Sequence, residues 1–497
     1  MAGDSSAARR SLSLSEAYRR AQDQQSAPAP DHFSSTPAAS SQLGIGLSLE
    51  GRLDETAQAL AAAARHASDE PRVFAELGYL YRRLGRKAEA MQNFLKALRL
   101  DPSQVDVWLN SASLSYEAGH KFAAEQAYLQ VLERDPTRAE AAVRLGYLNV
   151  ERRRYKDAAR FLSLAVELGA HSAPIFSCLG QTRYVLGEFS KADAVFAQAV
   201  RLDPGHVETL RRYARTRLIL TVIAESVERA IEVYREVAGE HAEDIFTVCS
   251  SVFHLLGANG PREAAIRLGE ALLRRKPGDP VIAFHLDALR GHAYDRAPNR
   301  YLTACFDRLA PQFEKHLVDV LDYQVPAKIH SMLAGSGEKF ENILDLGCGT
   351  GLAAPLLSGL GGKLTGVDIS PGMLKKAEER GLYARLIEAE AVSFLSRKDA
   401  TYDLITALDV LIYFGDLTGL FAAVASRLSS GGIFALSHEM TNCDSYRLLP
   451  SGRFAHNPRY IKTLSAESFS LVATVASVLR LENTRPVVGR LTLLRRS

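Results

Sequence analysis

Three glycines at alternate positions and an aspartate downstream of them form the pattern most suggestive of ligand binding. Gly347, Gly349 and Gly351 directly follow the run "NILDL", which is typical of a buried parallel strand. Glycine is used where the backbone must bend tightly and another group must approach it closely. Asp368 ends a second apolar run, "TGVD", roughly twenty residues downstream, where an acid can accept hydrogen bonds from ribose hydroxyls. A glycine turn followed by this acid predicts a nucleoside-like ligand.

The spacing of the glycines argues against two common nucleotide sites. The pattern is G-x-G-x-G, whereas a phosphate loop has G-x-x-x-x-G-K-S/T and a dinucleotide site has G-x-G-x-x-G. A nucleoside triphosphate is therefore not expected. The alternative is that the glycines only shape a tight strand-to-helix turn and that the carboxylates are solvated.

The elements that must position these residues alternate between strands and helices from residue 299 to residue 497. Five strands are predicted in "NILDLG", "KLTGVDIS", "YARLIEAEA", "YDLITALDV" and "IFALSHE", with helices between them. Two final strands are predicted in "LVATVASVLRLE" and "VVGRLTLLRR". Repeated strand–helix units predict a doubly wound, seven-stranded Rossmann-like α/β sheet, with ligands outside the carboxyl ends of the strands.

A second pattern, with a period of 34 residues, fills the preceding part of the chain. Pro136 lies 34 residues after Pro102, and Pro204 lies twice that interval further on. Four more sets share the register: Gly44, Gly78, Gly146 and Gly180; Gly51, Gly85, Gly119 and Gly187; Ala90, Ala124, Ala158 and Ala192; Phe94, Tyr128, Leu162 and Phe196. This resembles the tetratricopeptide repeat (TPR), a helix–turn–helix unit in which small residues let two helices approach and an aromatic wedges between them. An α-solenoid is predicted over 37–290, its last repeats degraded, after a disordered tail over 1–36.

Such repeats usually bind a protein or peptide on a concave face formed by the first helix of each unit. The first-helix positions are Tyr79, Arg82, Tyr116, Tyr147, Gln181 and Tyr184. Solvent-facing tyrosines suit binding, because each offers apolar area and a hydroxyl. A helical spacer without a partner is the alternative.

Composition excludes several other classes of function. The net charge of +3 is too small to indicate nucleic-acid binding, and no basic stripe is present. The five cysteines form no C-x-x-C pair, so neither a metal site nor a disulfide framework is predicted, and a reducing, cytoplasmic location is expected. No apolar run is long enough to predict a membrane span.

The C-terminal motifs, read together, resemble a known enzyme family. "LDLGCGTG", "GVDIS", "YDLITALDVLIYF" and "LSSGGIFALS" are similar to the class I S-adenosylmethionine-dependent methyltransferases. With the repeats in front, the chain resembles the bacterial TPR-containing predicted methyltransferases. The resemblance implies S-adenosyl-L-methionine as cofactor, with Asp345 orienting its amino group, Asp368 holding the ribose and Glu390 facing the adenine. The implied cofactor-binding set is Asp345, Gly347, Cys348, Gly349, Gly351, Asp368, Ile369, Met373, Glu390, Ala391, Leu408 and Asp409.

The same resemblance implies where the methyl acceptor binds. The segment before the first strand, with Phe306, Phe313 and Tyr323, is expected to close over the cofactor. A loop after the fifth strand is expected to recognise the acceptor through Tyr446, Arg453, His456 and Tyr460. The catalytic candidates are His456, Arg453, His438 and Asp409, with Glu439 held in reserve.

Three functions remain open on the sequence alone. The first is a methyltransferase whose repeats recruit a protein substrate or partner. The second is a small-molecule methyltransferase with repeats used for assembly, and the third is a non-catalytic scaffold. The N/D-P-P-Y/F signature of many methyltransferases acting on amino groups of DNA bases or glutamine is absent, and "LDVLIY" stands in its place.

Overall fold

A computed structural model describes residues 57, 60, 61 and 69–497, apart from 316, 318–320, 336, 398–399 and 483–484. The predicted tail over 1–36, the predicted start of the repeats at 37 and the repeat glycines Gly44 and Gly51 lie outside the described residues. The chain divides into two compact units, the first ending at Tyr213 and the second running from Ala214 to Ser497.

The first unit consists of antiparallel helix pairs in the predicted register. The helices are α1 (Pro71–Arg83), α2 (Lys87–Leu100), α3 (Val105–Glu117), α4 (Lys121–Arg134), α5 (Ala139–Glu151), α6 (Tyr155–Glu167), α7 (Ala173–Val185), α8 (Phe189–Leu202) and α9 (Val207–Ala224), the last of which contains the division. Asp101 and Asp135 accept backbone hydrogen bonds from the turns that follow α2 and α4. The turn after α2 is also held from the side, because the Trp108 indole donates to the Pro102 carbonyl over 2.9 Å.

Small residues let the helices of each pair approach closely, as the repeat pattern predicts. A Cβ atom added at Gly78 would lie 2.4 Å from the ring of Phe94, and one at Gly180 would lie 2.7 Å from the ring of Phe196. These contacts are shorter than any a real side chain tolerates. Glycine is therefore needed at these two positions for the helices to pack this closely.

The second residue after the first helix of a repeat takes a left-handed backbone conformation. Gly85, Gly119 and Gly187 have φ angles of 75°, 80° and 76° there. The equivalent position in another repeat is Arg153, with a φ of 56°. This conformation costs an L-residue roughly 1–2 kcal/mol, whereas glycine adopts it freely.

Arg153→Gly is therefore expected to raise the free energy of unfolding of the repeats by about 1 kcal/mol. Chemical denaturation followed by circular dichroism measures this. Arg153→Ala is the matched control, because it removes the same side chain but keeps the backbone strain. Equal stabilities of the two variants would show that the left-handed conformation carries no cost here.

The second unit begins with helices that the repeat pattern predicts to be degraded repeats. They are α10 (Val227–Ala238), α11 (Ile245–Asn259), α12 (Arg262–Arg275) and α13 (Pro280–Arg290), with a 3-10 turn at Gly239–His241. The following helices are α14 (Asn299–Leu309), α15 (Phe313–Lys315), α16 (Val325–Ala334), α17 (Ala354–Ser358), α18 (Pro371–Glu378), α19 (Ala391–Leu395), α20 (Thr418–Arg427) and α21 (Pro458–Ser465), with 3-10 turns at Ala310–Gln312 and Leu411–Tyr413.

One mixed sheet organises this unit. Its strands are β1 (Asn342–Leu346), β2 (Lys363–Asp368), β3 (Arg385–Glu388), β4 (Tyr402–Ala407), β5 (Leu428–Met440), β6 (Tyr446–Leu448), β7 (Phe454–His456), β8 (Phe469–Glu482) and β9 (Arg485–Arg496). The strand order is β3-β2-β1-β4-β5-β7-β6, and β9 pairs antiparallel with β5 and β8. The strands from β3 to β5 are parallel, so the carboxyl ends of β1, β2 and β4 meet at one edge. All seven predicted strands are present.

The prediction of a loop after the fifth strand is wrong. Tyr446–Leu448 and Phe454–His456 pair as an antiparallel hairpin, and Met440 of β5 pairs with His456. Phe454 and Ala455 are fully buried, so this short segment is held by apolar packing as well as by its ladder. No helix among the described residues has both the length and the apolarity that crossing a membrane requires.

Candidate active site

The glycine turn follows β1 and is left-handed at all three glycines. The φ angles are 71° at Gly347, 54° at Gly349 and 77° at Gly351. A Cβ at Gly347 would lie 2.4 Å from Cγ2 of Val410, and one at Gly351 would lie 3.0 Å from the side chains beside it. Two of the three glycines are thus already required by the packing of the turn. Gly349 has more space, because a Cβ added there would lie 3.6 Å from Phe313, so a ligand can approach its backbone.

Asp368, at the end of β2, braces this turn. One carboxylate oxygen accepts a hydrogen bond from the amide of Gly349 over 2.8 Å, and the other accepts from the amide of Ser370 over 2.9 Å. The side chain is largely buried. Burial raises the pKa of Asp368, although the backbone amides favour its charged form. The aspartate therefore links the first two strand ends directly.

Asp345 lies one strand away at the same edge. Its carboxylate accepts hydrogen bonds from the Tyr383 hydroxyl over 2.7 Å and from the Thr406 hydroxyl over 2.9 Å. Burial raises the pKa of Asp345 to about 6, against the lowering effect of these two donors. A buried carboxylate that titrates near neutral pH is typical of a functional site.

A cavity of about 820 Å³ opens over these strand ends. It is lined by eleven of the twelve residues predicted to bind the cofactor: Asp345, Gly347, Cys348, Gly349, Asp368, Ile369, Met373, Glu390, Ala391, Leu408 and Asp409. Gly351 is not among the lining residues and packs against Tyr383 and Arg380 instead. The structure therefore brings together residues that are up to 64 positions apart in the sequence.

Two of these residues have structural roles of their own. Glu390 caps the short helix α19, because its carboxylate accepts from the amides of Val392 and Ser393 at 3.0 and 2.8 Å. Cys348 is buried, and burial raises the pKa of its thiol, so it is a packing residue and not a thiolate.

Aromatic residues before β1 line the same cavity. Phe306, Phe313 and Tyr323 all contribute to its wall. Phe306 packs edge-to-face against Phe313 at 6.1 Å and against Tyr413 at 5.4 Å between ring centroids. These rings give this part of the cavity an aromatic, apolar wall.

Buried charges lie beside these rings. The Arg480 guanidinium, only 1% exposed, forms ion pairs with Asp409 at 3.2 Å, with Glu482 at 2.8 Å and with Glu439. Arg453 pairs with the same Glu482. Asp409 has a φ of 55°, an unfavourable conformation for a non-glycine residue, and this places its carboxylate toward Arg480.

Burial and pairing act on these groups in opposite directions. Burial raises the pKa of Glu439 despite the nearby Arg480. Burial also tends to raise the pKa of Glu482, but Arg453 and Arg480 outweigh it and lower that pKa. Sequence reasoning missed Arg480; the one available signal is an arginine in a strand that is otherwise uncharged from Phe469 to Leu479.

The predicted catalytic histidines are placed differently from the expectation. His456 is fully buried in β7, with Nε2 2.8 Å from the carbonyl oxygen of Phe414, and burial lowers its pKa to about 4. His438 is equally buried in β5, with a pKa that burial lowers to about 4. Neither lines the cavity, whereas Arg453 and Asp409 do. The expectation that His456 faces an acceptor from an exposed loop is therefore wrong, because strand pairing turns its ring into the protein.

The four first-helix tyrosines of the repeats also depart from the expectation that they face solvent. All four are half-buried. Tyr79 packs on Phe94 at 5.2 Å between centroids, Tyr184 packs on Phe189 at 5.5 Å, and the Tyr116 hydroxyl donates to Glu151. Tyr147 packs in the apolar cluster around Leu162. These rings take part in packing between helices.

Sequence reasoning also missed the helical side of the cavity. Residues of α11, α13 and α14 line it, among them His254, His285 and Tyr301. The local pattern of these helices indicates only apolar packing, so their approach to the strand ends has no signal in the sequence. Among the described residues, no group of three or more histidine, cysteine, aspartate or glutamate side chains is arranged to hold a metal ion.

Comparison with known proteins identifies the two kinds of domain. A methyltransferase-domain family model matches residues 317–474, and two tetratricopeptide-repeat models match residues 71–104 and 109–173. Similar curated proteins include ubiquinone biosynthesis O-methyltransferases. The one from Burkholderia ambifaria is 28% identical over 155 residues, 28% of this chain and 64% of its own length. The one from Burkholderia multivorans is 31% identical over 123 residues, 24% and 50% of the two chains. This chain thus spans 64% or less of the length of these relatives.

The solved structures that resemble this chain include a methyltransferase and a TPR protein. The N-methyltransferase NodS from Bradyrhizobium japonicum, in complex with S-adenosyl-L-homocysteine, is 18% identical, covers 39% of this chain and 98% of its own, and has a TM-score of 0.33. YrrB, a TPR protein with an unusual peptide-binding site, is 20% identical with the same coverage and a TM-score of 0.34.

Proposed function

Because this chain combines tetratricopeptide repeats with a methyltransferase domain, we propose that it is an S-adenosylmethionine-dependent methyltransferase. The observation that carries the proposal is the cavity over the strand ends, where the glycine turn lies beside Asp345 and Asp368. A non-catalytic scaffold is disfavoured because the buried carboxylates of Asp345 and Asp368 both line a cavity that is large enough for a ligand.

Several groups at the turn fit the proposed cofactor. The Thr350 hydroxyl oxygen is buried in the cavity wall and has no hydrogen-bond partner among the described residues, although a buried polar atom normally has one. Together with the Asp345 carboxylate it suits the amino-acid part of S-adenosylmethionine. Asp368 would hold the ribose hydroxyls, as carboxylates in this position do. Met373 and Ala391 supply apolar wall for the adenosine part.

The chemistry needs alignment more than acid–base catalysis. When bound, the cofactor supplies an activated methyl group with its own leaving group. The protein then binds, orients and excludes water. Phe306, Phe313 and Tyr323 serve the last role. The carboxylate of Asp409 and the aromatic rings beside it favour a positive charge in the cavity, which suits a sulfonium.

Incubation with cofactor carrying a labelled methyl group tests the proposal and separates its two enzymatic forms. In a lysate of the source organism, label entering protein would support recruitment of a protein substrate by the repeats, and label entering small molecules would support the alternative. Purified Asp345→Asn protein is the control. Failure of the wild-type protein to bind the cofactor would overturn both forms.

The pKa of Asp345 predicts how cofactor affinity depends on pH. With a folded-state pKa of about 6, the carboxylate that would hold the cofactor's amino group is lost as the pH falls below that value. Affinity is expected to fall about fivefold between pH 6 and pH 5 and to change little above pH 7. The stability of the unligated protein should depend on pH in the opposite direction. The raised pKa means that the folded state binds the proton more tightly, so stability from this group grows between pH 6 and pH 4.

Titration calorimetry with S-adenosylhomocysteine between pH 5 and pH 8 measures the affinity. Asp345→Asn should bind more weakly and lose this pH dependence, and Asp403→Asn, at the opposite edge of the sheet, should keep it. A wild-type affinity that does not change over this range would contradict the role given to Asp345.

A further inference from the structure

The cavity extends beyond the residues that suit the cofactor, onto a wall formed by helices of the second unit. We define the helical wall as Phe246, Ser250 and His254 of α11, His285 of α13, and Tyr301 and Cys305 of α14. We propose that this wall is the acceptor-binding surface, and that His254 forms a hydrogen bond with a hydroxyl group of an uncharged aromatic acceptor. This inference rests on the proposed function and adds the acceptor's binding surface and chemical class.

The helical wall is joined to the sheet by backbone contacts. The amide of Ala297 donates to the Tyr413 carbonyl over 2.8 Å, and the amide of Gly415 donates to the Asp295 carbonyl over 2.7 Å. Arg296 and Phe414 form an isolated antiparallel bridge. The chain just before α14 is therefore held against the turn that follows β4, so the wall has a defined position relative to the strand ends.

The histidine pair also lines a second cavity. This cavity, of about 340 Å³, shares His254, His285, Leu321, Ser451 and Arg453 with the first but includes no residue of the glycine turn. The ring centroids of the two histidines are 4.6 Å apart. The histidines would therefore contact a second ligand and leave the cofactor region free.

His254 has hydrogen-bonding capacity that the protein does not use. Among the described residues no hydrogen bond to its ring is present, and the ring is half-buried with its surface on the cavity. His285, in contrast, has Nδ1 3.0 Å from the Val281 carbonyl. Burial lowers the pKa of His254 to about 3, so the ring is neutral and offers one donor and one acceptor. A hydroxyl group can satisfy either of them.

Two tyrosine hydroxyls also have hydrogen-bonding capacity that the protein does not use. Tyr323 and Tyr413 line the cavity, and within the described part of the chain neither hydroxyl has a hydrogen-bond partner. Burial raises the pKa of Tyr413 to about 12, so it remains a neutral phenol. A few unpaired polar groups on an otherwise aromatic and aliphatic surface are typical of small-molecule sites.

The charges in the cavity argue for an uncharged acceptor. Arg453 and Arg480 face three carboxylates, those of Asp409, Glu439 and Glu482. Whether or not Glu439 is protonated, these groups hold no excess of positive charge. An anionic acceptor would be buried there without a counter-charge from the protein, which is costly.

Lys276 and Arg308, which also line the cavity, do not change this conclusion. Both pair with Asp279, at 3.1 and 3.6 Å, and both side chains are more than half exposed to solvent. Their attraction for a buried anion is screened by water and salt.

The rings of the helical wall favour a planar acceptor. Phe246 and Tyr301 line the cavity together with Phe306 and Tyr413. Aromatic pairs gain about 0.5–1.5 kcal/mol beyond the area they bury. The cavity volume of about 820 Å³ lies in the upper part of the usual range for ligand sites, which leaves room beside a cofactor.

Three naphthalene probes test the proposal in the full-length protein, with and without saturating S-adenosylhomocysteine. They are 2-naphthol, naphthalene and 2-naphthoate, which share a ring system and differ in one group. Fluorescence titration of the wild type is expected to show binding of 2-naphthol at least tenfold tighter than that of 2-naphthoate. His254→Phe is expected to weaken the binding of 2-naphthol three- to tenfold, which corresponds to the loss of about one hydrogen bond. The affinity for naphthalene should be unchanged.

Control variants keep the test interpretable. His254→Asn retains hydrogen-bonding groups and should bind 2-naphthol more tightly than His254→Phe does. His292→Phe, on an exposed residue outside the cavity, should bind like the wild type. Calorimetry with S-adenosylhomocysteine should give the wild-type affinity in all three variants.

Three results would overturn the acceptor assignment. They are 2-naphthoate binding as tightly as 2-naphthol, no measurable binding of 2-naphthol at millimolar concentration, and an equal loss of naphthol and naphthalene binding in His254→Phe. A failure of the proposed function is recognised separately, as absence of S-adenosylhomocysteine binding by the wild type.

Discussion

Asp368→Ala is expected to weaken binding of S-adenosylmethionine by about 1.5–3 kcal/mol, roughly ten- to a hundredfold, the range for a hydrogen bond to a charged group. The carboxylate would bind the ribose, and it already accepts the Gly349 amide over 2.8 Å and the Ser370 amide over 2.9 Å. Its removal therefore costs a ligand contact and also loosens the turn that the ligand approaches. Titration calorimetry on the full chain measures the loss.

Asp403→Ala is the matched control for this variant. Asp403 also accepts two backbone amides at a strand end, those of Glu341 and Asn342 at 3.0 Å each, but at the amino edge of the sheet. It does not line the cavity. Its removal should lower the free energy of unfolding by a similar amount while cofactor affinity stays within about twofold. If Asp368→Ala binds as well as Asp403→Ala does, the site assignment fails.

Gly347→Ala is expected to give the largest loss of stability among single substitutions in the glycine turn. Its φ of 71° costs an L-residue roughly 1–2 kcal/mol. The new Cβ would also lie 2.4 Å from Cγ2 of Val410, which adds about 1–3 kcal/mol of overpacking. The free energy of unfolding of the second unit should fall by about 2–5 kcal/mol. Cofactor affinity should fall with it, because the turn must move.

Two further variants separate the two costs at Gly347. Gly381 has a φ of 65°, and apart from its chain neighbours no atom of the described residues lies within 4 Å of the place a Cβ would take. Gly381→Ala therefore carries only the backbone cost of about 1 kcal/mol. The double variant Gly347→Ala/Val410→Ala removes the clashing methyl group and should recover part of the stability. Chemical denaturation measures all of these. Equal destabilisation by Gly347→Ala and Gly381→Ala would show that packing against Val410 does not restrict this position.

Local sequence was sufficient to predict the parallel strands of the second unit and the group of residues that meets where these strands end. Each parallel strand is an apolar run, and each is followed by a turn whose residues are required by the conformation or the hydrogen bonds of that turn. The positive φ of Gly347 and the cap formed by Glu390 are of this kind. Because parallel strands end at one edge, residues that follow different strands meet there without any further information. The repeats were predictable for a related reason, since their contacts lie one helix apart and recur at a fixed period.

Tertiary structure alone decided which other residues share this cavity. Arg480 meets Asp409 from 71 residues away, and His254 lines the same cavity as Asp345 from 91 residues away. His456 looks like an exposed loop residue in sequence, yet pairing of β7 with β5 and β6 buries its ring completely. In each case the deciding contacts join elements that are distant in the chain and have no shared period. The hydrophobic pattern indicates that such elements are buried, but only their packing determines which polar side chains share a cavity.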